Sequence, residues 1–265
     1  MRTILITGAS GGLVQEMVPL LKDDFLILLG RDVEKIEQLY TFHDKKAVFD
    51  VDIRDEAALT AFFEEVDSQF AQIDILVNNA GYAIYDDFEN FSSQQVQAMF
   101  DINTFALMTL CRLVGKRMKA RRSGQIINII SMSGLIASSK SSVYSATKFA
   151  AMGFSNTIRL ELAQYGVTVT TVNPGPIATS FFDQADPDGS YQESVKAFLL
   201  QPDYVAKKIV SAMGTKKRDI NLPWSLAAAH KLYTLFPRIA DYLASTVFNL
   251  KYEKRRNNTR RFRVY

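Results

Sequence analysis

The chain opens Arg2-Thr3-Ile4-Leu5-Ile6-Thr7-Gly8-Ala9-Ser10-Gly11-Gly12, an aliphatic run that passes directly into a glycine-rich turn. The run is short, β-branched and bounded by glycine, so it reads as a buried strand. A helical stretch follows from Leu13. Strand, Thr-Gly-x-x-x-Gly turn and helix in this order bring backbone N–H groups to a helix N-terminus, where a phosphate is favoured. The turn around Gly8, Ser10, Gly12 and Leu13 is therefore a candidate seat for a dinucleotide pyrophosphate. One departure bears on it. A third glycine at position 14 would let helix and strand pack closely, and the chain has Val14 there. Valine is expected to push the helix outward or to alter the approach to the pyrophosphate.

Outward from this turn, strands and helical segments alternate. Arg2–Ile6, Phe25–Leu29, Ala47–Phe49, Ile73–Val77, Gln125–Ile130 and Val167–Val172 are short aliphatic runs. Their near-continuous apolarity fits strands covered on both faces, as in a parallel sheet. Between them, Leu59, Phe62, Phe63, Val66 and Phe70 recur at helical spacing, as do Met99, Asn103, Ala106 and Leu110, and the segment Ser142–Tyr165. The expectation is one α/β domain over residues 1–265, a Rossmann-like doubly wound parallel sheet flanked by helices in three α/β/α layers. After Pro174 the pattern loosens. Asp183, Asp186, Pro187, Asp188, Gly189 and Ser190 signal turns, so residues 180–200 are expected to form a substrate loop over the site.

Bulk properties narrow the class. The chain has 265 residues, 48% of them hydrophobic and 22% charged, as in an ordinary globular protein. No apolar run approaches the roughly 18 residues that span a bilayer. The start runs straight into the glycine turn and reads as a strand rather than a secretory signal. A single cysteine, Cys111, forms no internal disulfide and fits a reducing, cytoplasmic setting. Only two histidines occur, His43 and His230, far apart, and no metal site is expected.

Two further features carry chemistry. The second strand ends Leu29-Gly30-Arg31-Asp32. An acidic residue closing this strand would hold a ribose 2′-hydroxyl, whereas an arginine pairs with a 2′-phosphate. Arg31 comes first, so NADP(H) is expected over NAD(H), and Asp32 is read as the cap of the next helix. Tyr144 and Lys148 lie four residues apart at the start of a long helical segment, with Ser131 thirteen residues before the tyrosine. Residues at i and i+4 share a helix face. The lysine charge is expected to lower the Tyr144 phenol towards working pH, so that it serves as acid or base without a metal. Ser131 would hydrogen-bond the substrate oxygen. A second Tyr-x-x-x-Lys, Tyr204 to Lys208, follows Pro202-Asp203, a helix start, and is read as structural.

In these residues and their order the chain resembles the short-chain dehydrogenase/reductase family, in its single-domain branch, over roughly residues 2–215. The resemblance implies that Asp52 and Ile53 lie by the adenine, and that Asn79, Ala80 and Gly81, in Asn78-Asn79-Ala80-Gly81, lie against the adenosine ribose. It implies that Asn103 is a fourth catalytic residue holding a water in a proton relay beside Ser131, Tyr144 and Lys148. Pro174, Gly175, Ile177 and Thr179 would cover the nicotinamide, and Tyr144 and Lys148 would also touch the cofactor. A second departure is Asn128-Ile129-Ile130-Ser131, where the family usually has Asn-x-Ser-Ser. The implied activity is hydride transfer between nicotinamide and a carbonyl or alcohol. The alternatives are a non-enzymatic NADP(H)-binding sensor or scaffold, supported by Val14, and a sugar-nucleotide epimerase or dehydratase, whose chains are usually longer. Family members are commonly homodimers or homotetramers.

The C-terminus stands apart. Residues 223–250 are rich in aromatic and aliphatic side chains, including Trp224, Leu232, Leu235 and Phe236, and read as one or two helices packed on the body or on another subunit. Residues 251–265 hold seven basic residues against Glu253, a local charge of +6, while the rest carries 24 basic and 27 acidic groups. A solvated tail and contact with an anionic membrane surface are the two readings. No nucleic-acid motif accompanies the tail. Phe181, Phe182, Phe198 and Leu199 hint at an apolar substrate or at core packing.

Overall fold

The computed structural model describes residues 1–187, 189–239 and 242. The chain divides into two compact units, Met1–Pro223 and Trp224–Tyr265. The first contains a seven-stranded, wholly parallel sheet in the order β3-β2-β1-β4-β5-β6-β7. The strands are β1 (Thr3–Thr7), β2 (Phe25–Leu29), β3 (Lys46–Phe49), β4 (Ile75–Asn78), β5 (Gly124–Ile129), β6 (Val167–Pro174) and β7 (Asp219–Leu222). Six correspond to the aliphatic runs, with ends shifted by one or two residues. The seventh, Asp-Ile-Asn-Leu, was not expected. It is a short edge strand of alternating character, held by pairing with β6 rather than by an apolar run of its own.

The sheet is buried on both faces, as the apolarity of its strands requires. On one face Ile4, Ile6, Leu26, Leu28 and Val77 join a core with helices α1 (Gly12–Met17), α2 (Val33–Leu39) and α9 (Pro202–Ala212). On the other, Leu5, Ile27, Leu76 and Ile126 pack with α3 (Glu56–Gln69), α5 (Leu107–Arg121) and α6 (Ser142–Ala163). Val14 belongs to the first core and is fully buried. It is therefore a packing residue of α1, and α1 sits against α9.

α4 (Ser93–Phe100), a π turn (Asp101–Ala106) and α5 form one helical rod, Ser93–Arg121. By length and composition this rod is apolar enough to cross a membrane, which no inspection of apolar runs showed. Half of its most apolar window is buried inside the fold, as in a core helix. The remaining helices are α7 (Phe181–Ala185) and α8 (Ser190–Val195) in the expected substrate loop, and α10 (Trp224–Leu235) in the second unit. The tail from residue 243 lies outside the described residues.

The strand order reverses between β1 and β4, and a crevice opens at the carboxyl ends of such strands. Polar core groups hold this region. The Asn78 Nδ2 donates to Asn128 Oδ1 at 2.8 Å across the β4–β5 pair, and Asn128 Nδ2 donates to Ser155 Oγ of α6 at 2.8 Å. Cys111 completes the cluster, and burial pushes its thiol up to about 12. Replacing Asn128 with Ala removes one buried partner from two elements. The expected loss is about 2 kcal/mol of stability, read as a lower denaturation midpoint at unchanged slope.

Candidate active site

The glycine turn is shaped by contacts that only glycine tolerates. Gly8 has φ +67, and a Cβ on it would lie 2.9 Å from the Ala80 Cα. A Cβ on Gly12 would lie 3.0 Å from the Thr179 Cβ. Three hydrogen bonds fix the turn to β4: the Asn79 and Ala80 N–H groups both donate to Thr7 Oγ1 at 3.0 Å, and Asn79 Nδ2 donates to the Thr7 carbonyl at 3.1 Å. The Tyr40 hydroxyl donates to the Ala9 carbonyl at 2.5 Å. Gly11 caps α1 without a side chain, and no acidic residue lies in its first turn. The donor set thus suits an external anion. Leu13 turns its side chain into the core, leaving only its backbone to the turn, and Ser10 accepts from Gln15 through its carbonyl.

At the end of β2, Arg31 and Asp32 are both exposed. Asp32 caps α2, accepting from the Lys35 N–H at 3.0 Å, as expected. Asp52 is paired with Arg54, which holds its carboxyl down to about 2, with Arg31 adding a weaker influence. Ile53 packs at the margin of the second core.

The four candidate catalytic residues converge from three elements. Tyr144 and Lys148 lie on α6, both almost wholly buried. Ser131 follows β5. Its Oγ donates to the Pro174 carbonyl at 3.5 Å and accepts the Ser133 N–H at 3.0 Å, and it lies near enough to the Tyr144 phenol to draw its proton affinity down. The Lys148 Nζ lies 5.6 Å from the Tyr144 ring centre and donates to the Ile129 carbonyl at 3.4 Å. Asn103 occupies the π turn. It exchanges two hydrogen bonds with the Tyr82 backbone, at 3.0 and 2.9 Å, and donates to Thr147 Oγ1 at 3.1 Å. Gly81 separates Asn103 from the lysine. A Cβ there would sit 2.9 Å from Asn103 Oδ1 and 3.5 Å from Lys148 Nζ.

The electrostatics differ from the expectation in one respect. Burial pushes the Tyr144 phenol well above its ordinary range, and Ser131 draws it back only in part. The expected lowering by Lys148 does not govern it. The lysine is itself shifted, since burial of its charge lowers it to about 8. A phenol in this state keeps its proton at neutral pH.

An aromatic wall stands beside Tyr144. Tyr85 meets its ring edge-on at 5.8 Å, and Phe181 lies at 6.2 Å. Tyr191 of α8 stacks on Tyr85 with ring centres 3.9 Å apart and planes 10° from parallel. Phe182 is buried next to this stack, whereas Phe198 is 37% exposed. Asp186 accepts the Tyr191 and Gln192 N–H groups and so caps α8. Sequence reasoning found Phe181 and Phe182 but missed Tyr85 and Tyr191, which no motif marks. The second Tyr-x-x-x-Lys lies apart on α9, with Tyr204 43% exposed. The segment after β6 is fixed beside the glycine turn: the Gly175 N–H donates to the Leu222 carbonyl at 2.6 Å, Ile177 bridges to Leu200, and Thr179 lies against Gly12.

Comparison with known proteins shows the family. Residues 2–189 match the short chain dehydrogenase family, and the chain belongs to that family. Among curated relatives, a 3-ketodihydrosphingosine reductase of Bacteroides thetaiotaomicron is 29% identical, covering 77% of this chain and 76% of the relative. Two solved structures share the fold at a TM-score of 0.74. ElxO with NADP bound is 24% identical, over 83% of this chain and 97% of its own. A 3-ketoacyl-(acyl-carrier-protein) reductase from Brucella melitensis, complexed with NADH, is 22% identical over 83% and 96%. The chain is thus an oxidoreductase of this family.

Gly8→Ala tests the turn. A left-handed φ and a Cβ 2.9 Å from backbone force β1 and β4 apart. Dinucleotide affinity is expected to fall at least about tenfold, roughly 1.4 kcal/mol, measured by fluorescence titration on protein whose circular dichroism is unchanged.

Proposed function

We propose that this protein is an NADP(H)-dependent reductase of an apolar carbonyl compound, with Tyr144 as proton donor. The observation that carries the reading is the buried Tyr144, with Ser131 and Lys148 beside it and an aromatic wall against its ring. The cofactor, when bound, supplies or accepts the hydride. The residues of this chain do the rest. Ser131 orients the carbonyl oxygen and stabilises the negative charge that develops on it. Tyr144, kept protonated by burial, gives that oxygen its proton; in the oxidative direction it takes the proton back. Lys148 below pH about 8 is an ammonium and favours the phenolate left after transfer. Asn103 is the route of proton resupply by family analogy, next to Lys148 across Gly81.

Arg31 supports NADP(H), as it is exposed two residues after β2 and no acidic residue precedes it at that strand end. The aromatic wall and the likeness to a 3-ketodihydrosphingosine reductase support a substrate with a long or bulky apolar body. A homodimer or homotetramer in a reducing, cytoplasmic setting completes the reading, which the lone buried Cys111 suits.

The deciding experiment titrates NADPH and NADH against wild type and Arg31→Ala. Loss of about 1.5–3 kcal/mol in NADPH binding is expected, with NADH unaffected; equal loss of both would remove Arg31 from the argument. Tyr144→Phe is expected to cut kcat about 10²–10⁴-fold while the NADPH Kd stays constant. The pH profile follows from Lys148. Its ammonium is present below pH about 8 and lost above it, so reductive kcat should fall as pH rises through that value. A flat profile to pH 10, where an ordinary lysine begins to lose its proton, would remove the lysine from the rate-determining step.

A further inference from the structure

α10 exposes large apolar side chains where an ordinary surface helix exposes polar ones. Trp224, Leu232, Leu235 and Phe236 are 80, 59, 69 and 54% exposed, and the helix buries none of its residues. Trp224, Ala228, Leu232 and Leu235 follow spacings of four, four and three, which place them on one stripe. Ile239 and Tyr242, 58 and 69% exposed, continue the apolar content beyond Pro237. An exposed stripe of this size marks a contact surface. The basic segment 251–265, with its charge of +6, follows within ten residues of Tyr242.

We propose that α10 is a peripheral membrane anchor, which lays its apolar stripe into the interface of an anionic lipid bilayer, the basic sequence that follows it selecting the anionic surface. Three arguments select this occupant. First, α10 has 12 residues, about 18 Å of helix against roughly 30 Å of hydrocarbon, so it lies in the interface and does not cross. Second, tryptophan and tyrosine are the residues that settle at the headgroup level, and Lys231 beside the stripe reaches the phosphates along its aliphatic stem. Third, the tail charge selects an anionic partner. A second copy of the chain would double the basic charge with nothing to offset it, whereas an anionic surface neutralises it. A nucleic acid would use the charge and leave the apolar stripe in water.

Trp224 is the only tryptophan in the chain, so its emission reports the stripe directly. Full-length protein is titrated with vesicles of phosphatidylcholine alone or with about 30% phosphatidylserine, an anionic surface of the kind the tail should sense. A blue shift is expected on the anionic vesicles, with quenching by brominated acyl chains and at least a fivefold smaller bound fraction at about 0.5 M salt. Leu232→Ser/Leu235→Ser should abolish the shift while NADPH affinity is unchanged. Arg255→Glu/Arg256→Glu should weaken vesicle binding about tenfold, and Tyr144→Phe should leave it untouched, so the anchor and the catalytic reading fail separately. No shift on anionic vesicles would overturn the proposal. So would equal binding to neutral vesicles, or a shift that grows with protein concentration alone alongside a doubled mass, which assigns the stripe to a second copy.

Discussion

Much of this structure depends on one hydroxyl. Thr7 Oγ1, at the end of the first strand, accepts two backbone N–H groups from the segment after β4. Those contacts fasten the two strands at the point where the sheet changes winding direction, and they do so beneath the glycine turn. The amide of Asn79 returns the contact to the Thr7 and Gly8 carbonyls. The turn therefore cannot open without unpairing buried polar groups. Gly81, three residues after Asn78, is carried by the same fastening to its place between Asn103 and Lys148. Cofactor turn and proton-transfer residues are thus positioned by one piece of main chain.

Burial sets the chemistry of the site more than neighbouring charge does. Tyr144 and Lys148 are driven in opposite directions by the same cause, since each disfavours its ionised form when water is removed. The phenol stays neutral and the ammonium becomes easier to deprotonate. This drives the two proton affinities apart, with the phenol holding its proton more tightly and the lysine less.

Most of the frame was legible in the residues. The run Thr3–Thr7 and its glycine turn, the alternation after it, and the Ser131, Tyr144 and Lys148 spacing each reflect a strong local constraint. β7 was not legible, because Asp219–Leu222 takes its stability from β6 and from the Asn173–Asn221 side-chain contact at 2.7 Å. Tyr85 and Tyr191 were not legible either. They are 106 residues apart in sequence and meet only because Asp186 caps α8 and the Tyr85 N–H donates to the Ala185 carbonyl. Val14 looked disruptive by pattern, yet a helix that packs on α9 has room for it. The lysine effect on Tyr144 was misjudged because sequence shows proximity but not the loss of water.

The π turn at Asp101–Ala106 has a geometric consequence. A wider turn acts as a phase shifter within the rod from Ser93 to Arg121. The part before it presents Met99 to the cluster around Tyr144, and the part after it presents Leu110, Val114 and Met118 to the sheet. One continuous rod thereby serves two partners whose directions a regular helix could not match. Excising a single residue there would rotate one half by about 100° against the other, so a change of length along this stretch would disturb both ends of the rod at once.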